Sequence, residues 1–318
     1  MRAILVTQTH DLVLGDAPGP ALGPRDLRIA VRATAVNRAD LLQRAGRYPP
    51  PPGASEILGL ECAGVVSEVG ADVRGWSAGD RAMALLPGGG YAEEAVVDAG
   101  SAMHVPDALS DEEAAALPEV FLTAFLNVFM LAHLREGETV LIHGGGSGVG
   151  TAATTLAKRA GARVIVTAGS REKCALCLAH GADLAIDYRE ENFAEKARGA
   201  NVILDHIGAR YLPRDLDALA TDGRIVIIGS MGGEPTAEID VTKLLFKRAQ
   251  ITGSTLRGRS VEDKAAIVDG FLARFGADLE AGRIRPVVHT VFPLERADDA
   301  HDLMEASEHF GKIVLRVI

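Results

Sequence analysis

The residues best arranged for chemistry are Gly144-Gly-Gly-Ser-Gly-Val-Gly150, preceded by Thr139-Val-Leu-Ile-His143 and followed by an alanine-rich stretch from Thr151 to Gly161. Buried strand, glycine-rich turn and helix in that order form the phosphate end of a dinucleotide site. Gly146, Gly148 and Gly150 let main-chain atoms approach a pyrophosphate closely. The helix that follows aims unpaired N–H groups and its positive dipole end at that charge. The spacing departs from G-x-G-x-x-G, because Val149 stands where the third glycine would fall if Gly144 and Gly146 opened the pattern. The apolar run Val140 to Ile142, and Ala152, Ala153, Leu156 and Ala160 ahead of the capping Gly161, supply the strand and helix context that a bare glycine motif lacks.

In a parallel sheet, ligands lie outside the carboxyl ends of the strands, which selects three further loops: Ala168 to Lys173, Asp205 to Gly208 and Gly229 to Gly233. The second strand ends Val166-Thr-Ala-Gly-Ser170, followed by Arg171 and Lys173, with no Asp or Glu to hold a ribose diol. A small hydroxyl and two cations suit a 2′-phosphate, so NADP(H) is expected over NAD; the alternative is that the two cations merely cover an exposed helix start. Gly229-Ser-Met-Gly-Gly233 suits close approach by a cofactor or forms a simple turn. In the first third, Ala35 to Tyr48 carries Asn37, Asp40 and Tyr48 ahead of the stiff run Pro49 to Pro52. That segment holds Tyr48 at a cleft, or is an ordinary loop in which Asn37 and Asp40 cap a short helix. His143 and His206 end strands and are either proton donors or packed side chains. Cys174 and Cys177 lie in an apparent helix with no second cysteine pair, so both sulfurs should pack, and no metal site is expected.

These side chains require two kinds of scaffold. Up to about residue 100, short β-like runs alternate with turns: 3–6, 27–31, 62–69, 81–85 and 91–97. Ser110-Asp-Glu-Glu113 has the capping-box pattern ahead of a short helix ending before Pro118, and a second, apolar helix is expected from Glu119 to His133. From Thr139, strands and helices alternate, with later strands at 163–167, 184–187, 202–205, 224–229 and 250–253. Six strands separated by helical patterns predict a doubly wound parallel sheet. A helix over 261–281 and β-like runs at 286–292 and 312–317 return the chain to its first domain. The 318 residues are 47% hydrophobic and 24% charged with net charge −10, a composition that supports large cores and disfavours nucleic acid or anionic membrane as partner. No apolar run has membrane-spanning or signal-peptide character, and three cysteines, Cys62, Cys174 and Cys177, fit a reducing compartment; a cytoplasmic address is expected.

Asn37 to Tyr48, Gly59-Leu-Glu-Cys-Ala-Gly64, Ala84-Leu-Leu-Pro-Gly-Gly-Gly90, Leu122-Thr-Ala-Phe125, the glycine loop, Leu244-Leu-Phe-Lys-Arg248 and Gly311-Lys-Ile-Val-Leu315 together resemble the zinc-independent quinone oxidoreductases of the medium-chain dehydrogenase/reductase superfamily. The resemblance covers nearly the whole chain. It implies an α/β protein in which a mostly β, GroES-like catalytic domain (1–118 and 257–318) is split around a Rossmann NADP-binding domain (119–256). Alcohol dehydrogenases of that superfamily carry a zinc-ligand cysteine near the start of the Asn37 segment and a histidine in a Gly-His-Glu triplet. This chain has Asn37 and Gly59-Leu-Glu61 there, so metal-polarised chemistry is not expected.

The resemblance also implies roles. Tyr48 and Ser147 line the place where nicotinamide and substrate meet, and Thr123 and Val149 support the nicotinamide. Gly169, Ser170, Lys173 and Tyr188 surround the adenosine phosphate, and Gly229, Met231, Gly232, Leu256 and Lys312 flank the cofactor. Tyr48 is the expected hydrogen-bond donor, with Asn37 and Asp40 shaping its surroundings. The expected function is hydride transfer from NADPH to a quinone or other electron-poor acceptor, by a homodimer. The alternatives are an enoyl or 2-alkenal reductase and a non-catalytic NADPH-binding protein.

Overall fold

The computed structural model describes residues 1–317. The chain opens with β1 (Arg2–Val6), paired antiparallel with β2 (Leu12–Asp16). β3 (Asp26–Val36) buries Leu27, Ile29 and Val31 on one face, the period of two that a half-buried strand requires. Asn37 turns the chain from β3 into α1 (Arg38–Arg44). β4 (Glu61–Val69), β5 (Arg81–Leu85), β6 (Glu94–Asp98) and β7 (Ala102–His104) follow, with β3 antiparallel to both β4 and β6, β4 to β5, and β5 to β7. Ser110 caps α2 (Asp111–Ala115) with the capping box read from the sequence: its hydroxyl accepts the Glu113 N–H at 3.2 Å and the Glu113 carboxylate accepts the Ser110 N–H at 3.0 Å. α3 (Pro118–Phe125) starts at the proline, whose missing N–H costs nothing in a first turn. The single helix expected over 119–133 is instead α3 followed by a π-helical stretch, Leu126–Leu131. The strand expected from Tyr91 begins only at Glu94, and β2 and β7 were not foreseen.

The next segment carries β8 (Thr139–Ile142), α4 (Gly148–Arg159), β9 (Arg163–Ala168), α5 (Arg171–Ala179), β10 (Leu184–Asp187), α6 (Phe193–Lys196), β11 (Ala200–Asp205), α7 (Leu212–Ala218), β12 (Leu219–Ile227), α8 (Val241–Lys247) and β13 (Gln250–Gly253). The six strands form one parallel sheet in the order β10-β9-β8-β11-β12-β13, the doubly wound arrangement expected. β12 starts five residues earlier than the run 224–229, because the Asp222-Gly223 turn signal lies inside the strand, with Asp222 at φ 59°. Leu141, Ile165, Ile186, Phe193, Ile203, Leu216 and Ile225 make the core.

The chain then returns through α9 (Val261–Glu280), β14 (Val288–Pro293), α10 (Ala297–Ala306) and β15 (Lys312–Arg316). β15 pairs antiparallel with β3 and parallel with β14, completing the sheet order β14-β15-β3-β4-β5-β7. Two compact units result: Met1–Leu122 with the chain from Leu256 onward, and Thr123–Thr255. Ile4, Leu27, Ile29, Leu58, Val66, Tyr91 and Leu315 lie in the first unit's core.

The turn between β8 and α4 has no room for side chains at Gly144, Gly145 and Gly150. Gly144 takes φ +60°, and a Cβ on Gly150 would stand 2.3 Å from the Gly144 carbonyl oxygen, so glycine at 150 lets the helix start close against the turn. Replacing Gly150 with Ala forces α4 off that turn and should cost about 1–3 kcal/mol by the usual penalty for overpacking. The measurement is the urea midpoint at constant m-value; a variant as stable as the parent would show that the turn yields without strain.

Candidate functional site

In the second unit the glycine loop is tied down at both ends. The Gly145 N–H donates to the Thr167 carbonyl at 2.8 Å and the Gly144 N–H to the Thr167 hydroxyl at 3.2 Å. Ser147 caps α4, its hydroxyl oxygen accepting the Gly150 N–H at 3.0 Å, while the Thr151 hydroxyl lies within 3.1 Å of the Ser147 and Gly148 carbonyls. Ser147 thus serves first as a cap. The opening N–H groups of α4 have no helical partner, and the dipole end they form suits a phosphate.

His143 does not reach outward from this loop. It is 1% exposed, its Nδ1 lies 3.1 Å from the Thr167 hydroxyl and its Nε2 2.8 Å from an Asp215 oxygen, and the rings of Phe193 and Tyr211 stand edge-on to it. The Asp205 carboxylate accepts the Ile207 N–H at 2.6 Å and the Gly208 N–H at 3.0 Å; burial, then the Asp215 charge, push its pKa up to about 6. His143, Asp205 and Asp215 are the one group of three metal-capable side chains drawn together among the described residues, and all three are buried. His143 is thus a packed side chain in a polar clamp beneath the strand ends, in which Asp215 Oδ2 alone is buried without a hydrogen-bond partner.

The end of β9 leads directly into α5. The Ser170 hydroxyl oxygen accepts the Lys173 N–H at 3.2 Å, capping α5, and Arg171 is exposed while Lys173 is partly buried. A Cβ on Gly169 would lie 2.9 Å from the Tyr188 hydroxyl, so glycine there lets the phenol close over the turn. Asp187, at the tip of β10, is buried and accepts the Arg189 N–H at 3.1 Å. Beyond β12 the Met231 N–H donates to the His206 carbonyl at 3.0 Å and the Gly232 N–H to that of Ile207 at 2.9 Å, folding Gly229–Gly233 back over the end of β11. Gly229 and Ser230, with Gly253 and Ser254, line an open cavity of about 410 Å³. Thr123 is partly buried, its carbonyl accepting from the Asn127 amide at 2.7 Å. The sheet therefore gathers Gly146, Ser147, Gly148, Val149, Gly150, Gly169, Ser170, Lys173, Tyr188, Gly229, Met231 and Gly232 at the carboxyl ends of its strands.

In the first unit, Asn37, Asp40 and Lys312 form part of a buried polar network. The Asp40 carboxylate accepts the Asn37 N–H at 2.8 Å, the Gly59 N–H at 3.0 Å and the Tyr91 hydroxyl at 3.3 Å, and burial pushes its pKa up to about 6. The Asn37 amide donates to Glu61 Oε1 at 2.9 Å and its oxygen accepts from Lys312 Nζ at 2.5 Å. That ammonium also donates to the Val36 carbonyl at 2.9 Å and stands 2.8 Å from Glu61 Oε1. Glu61 Oε2 accepts the Glu119 N–H at 2.8 Å. An amide, a carboxylate and an ammonium do not suit a divalent cation, because the ammonium already holds the positive charge.

Tyr48 is partly buried, and its phenol is shifted above its ordinary pKa by burial and then by the charge of Glu119. Arg257, 3% exposed, lies 5.3 Å from the Tyr48 ring centroid and donates to the Tyr48 carbonyl at 3.3 Å, the Pro87 carbonyl at 2.8 Å and Gln43 Oε1 at 2.6 Å. Leu256, beside it in the chain, is buried. Sequence reasoning missed Arg257, Glu119 and the Glu61–Lys312 pair. Glu61, a lone acid in the apolar run Ile57-Leu-Gly-Leu-Glu-Cys-Ala63, signals a buried charge that needs a partner. Nothing local marks Arg257.

The alcohol dehydrogenase GroES-like domain family matches residues 23–107, and the zinc-binding dehydrogenase family matches residues 148–269. A quinone oxidoreductase of Rattus norvegicus is 32% identical, with 94% of this chain and 92% of that protein covered. A highly reducing polyketide synthase of Emericella nidulans is 32% identical over 93% of this chain but only 12% of its own length. The crystal structure of an Escherichia coli quinone oxidoreductase complexed with NADPH superposes with a TM-score of 0.84 at 27% identity, covering 99% of each chain. Sequence similarity over almost all of both proteins, joined to the fold described above, shows that the chain belongs to the quinone oxidoreductase family of the medium-chain dehydrogenase/reductase superfamily.

Proposed function

We propose that the protein is an NADPH-dependent reductase that passes hydride to a quinone without a metal. The Lys312 ammonium against Asn37 and Glu61 supports the metal-free part of this reading, since that buried carboxylate already has its cation. The chain's own part is then to bind, orient and supply hydrogen bonds. Bound NADPH would supply the hydride. The main-chain amides at the start of α4 would hold its pyrophosphate, and Ser170, Lys173 and Tyr188 its 2′-phosphate. Tyr48 would donate a hydrogen bond to the acceptor oxygen that gains charge, with Arg257 fixing its ring and Asn37 and Asp40 fixing α1 ahead of it. A quinone suits such a site because its reduced oxygens take up protons readily. The match to a stretch of a highly reducing polyketide synthase favours reduction of a conjugated C=C as the second reading.

We also propose a homodimer joined through the edge of the parallel sheet. β13 is the last strand of that sheet, and the neighbouring α8 leaves Val241, Leu245 and Phe246 at least 69% exposed. Phe246→Glu should shift the protein from dimer to monomer in light scattering. A parent that is already monomeric at micromolar concentration would sink the assignment.

An acceptor panel of quinones and enones, run with NADPH and with NADH, tests the activity; no oxidation of NADPH by any acceptor would defeat it. Lys173→Ala should weaken NADPH at least ~10-fold while leaving NADH nearly unchanged, as loss of a charge-assisted phosphate contact requires. Equal losses for the two nucleotides would remove the phosphate assignment. Tyr48→Phe should lower turnover ~10- to 100-fold with NADPH affinity retained, the cost of one lost donor at a developing charge. Unchanged turnover would show that the donor lies elsewhere.

A further inference from the structure

His143 takes no part in the proposed function, yet its surroundings are built around both of its ring nitrogens. Its side chain and that of Asp215 are wholly buried, so neither can touch a dinucleotide. Phe193 and Tyr211 stand edge-on to the imidazole, at 4.8 and 4.9 Å between centroids, and the Arg214 guanidinium carbon lies 4.6 Å from the centroid of each of those two rings. A phenyl ring would fill that slot. The nitrogens, however, have partners: Nδ1 lies 3.1 Å from the Thr167 hydroxyl oxygen and Nε2 2.8 Å from Asp215 Oδ1. The hydroxyl fixes the direction of these bonds. Its oxygen accepts the Gly144 N–H at 3.2 Å, and among the described residues its proton has one acceptor, His143 Nδ1. Nδ1 is therefore bare, and the ring proton is on Nε2, donated to Asp215. A single series of donors thus runs from the Gly144 amide through Thr167 and His143 to a carboxylate on α7, and bonds aligned in series polarise one another.

We propose that His143 is the positioning residue of the turn before α4: through Thr167 it holds the first amides of that helix in the arrangement that receives the dinucleotide pyrophosphate, and through Asp215 it makes α7 part of that arrangement. The inference rests on the NADPH binding proposed for this loop. The bonds that transmit the effect are short. Thr167 takes the Gly144 N–H on its hydroxyl and the Gly145 N–H on its carbonyl at 2.8 Å. The Gly144 carbonyl then accepts the Ser147 N–H at 2.9 Å, and Ser147 caps α4. Without the imidazole nitrogens the Thr167 hydroxyl would lose its acceptor and the turn its anchor. Amides already aimed at a phosphate bind it at no further ordering cost, whereas a loosened turn must be ordered by the ligand itself. The pyrophosphate is held alike before and during hydride transfer, so the role sets affinity for NADPH and leaves turnover at saturation alone.

The experiment measures the NADPH dissociation constant by fluorescence, kcat at saturating NADPH and the thermal midpoint for the parent protein, His143→Phe, Asp215→Asn and the double variant. Phenylalanine keeps a ring between Phe193 and Tyr211 and removes both nitrogens; asparagine keeps an acceptor oxygen and removes the charge. His143→Phe should weaken NADPH ~3- to 10-fold, the net worth of a hydrogen bond or two, with kcat retained. Asp215→Asn should weaken it too, and the double variant should bind no worse than the weaker single one, because both act through one series of bonds. Long-range nitrogen–proton NMR should show the His143 ring as the Nε2–H tautomer, its signal identified by its loss in His143→Phe. Unchanged NADPH affinity in His143→Phe, even beside a lowered thermal midpoint, overturns the proposal. So do losses that add in the double variant, a fall in kcat as large as the fall in affinity, or an Nδ1–H tautomer. If His143→Phe does not fold, Thr167→Val decides, since it cuts the series at its middle link: affinity equal to the parent's in that variant counts against His143. A parent that binds no NADPH removes the cofactor reading itself, an outcome distinct from variants that bind as the parent does.

Discussion

One buried carboxylate organises the first unit. Glu61 lies in an apolar strand with no access to water, and transferring an isolated carboxylate into such a place costs several kcal/mol even after relaxation. Three neighbours offset that cost: the Lys312 ammonium, the Asn37 amide and the Glu119 N–H. These partners come from residue 37, residue 119 and residue 312, so a single charge recruits the end of β3, the start of α3 and the start of β15 to one point. Removing Lys312 or Glu61 alone would strand the other charge, a loss of about 3–5 kcal/mol for a broken buried pair. Removing both together costs far less in principle, which marks the pair as a device for arrangement more than for net stability.

The second unit depends on backbone geometry at its turns. Its strands deliver glycine-rich loops, and the glycines are required where backbone must approach backbone, as at Gly150 against Gly144. The buried clamp of His143, Asp205 and Asp215 lies beneath those loops and fixes their roots. At the end of β9 the Ser170 hydroxyl caps α5, and Gly169 leaves room for the Tyr188 phenol over the turn.

What the sequence reveals follows from how local each signal is. The parallel sheet was legible because each strand is a short apolar run bounded by turns, and the capping box at Ser110 because its two halves lie three residues apart. β2 was not, since Val13 and Leu14 are 43% and 40% exposed and give no in-and-out contrast. Within the candidate site, the glycine loop and Ser170–Lys173 are contiguous motifs whose serines cap α4 and α5. Arg257 and Tyr48 are 209 residues apart, Lys312 and Asn37 are 275 apart, and nothing in either neighbourhood announces the partner. Lys312, which the resemblance places among the residues flanking the cofactor, turns its ammonium to Val36, Asn37 and Glu61.

The return of β15 to β3 sets the order in which the molecule can be built on the ribosome. All six strands of the inserted unit are synthesised before residue 312, so that unit can reach its native contacts while the chain is still growing. Glu61, by contrast, must await its counter-ion until some 250 further residues have emerged, an interval shown by the Glu61–Lys312 pairing. Throughout that interval the nascent β3–β4 pair holds an uncompensated acid and an open sheet edge, the condition in which a holding chaperone would be of most use.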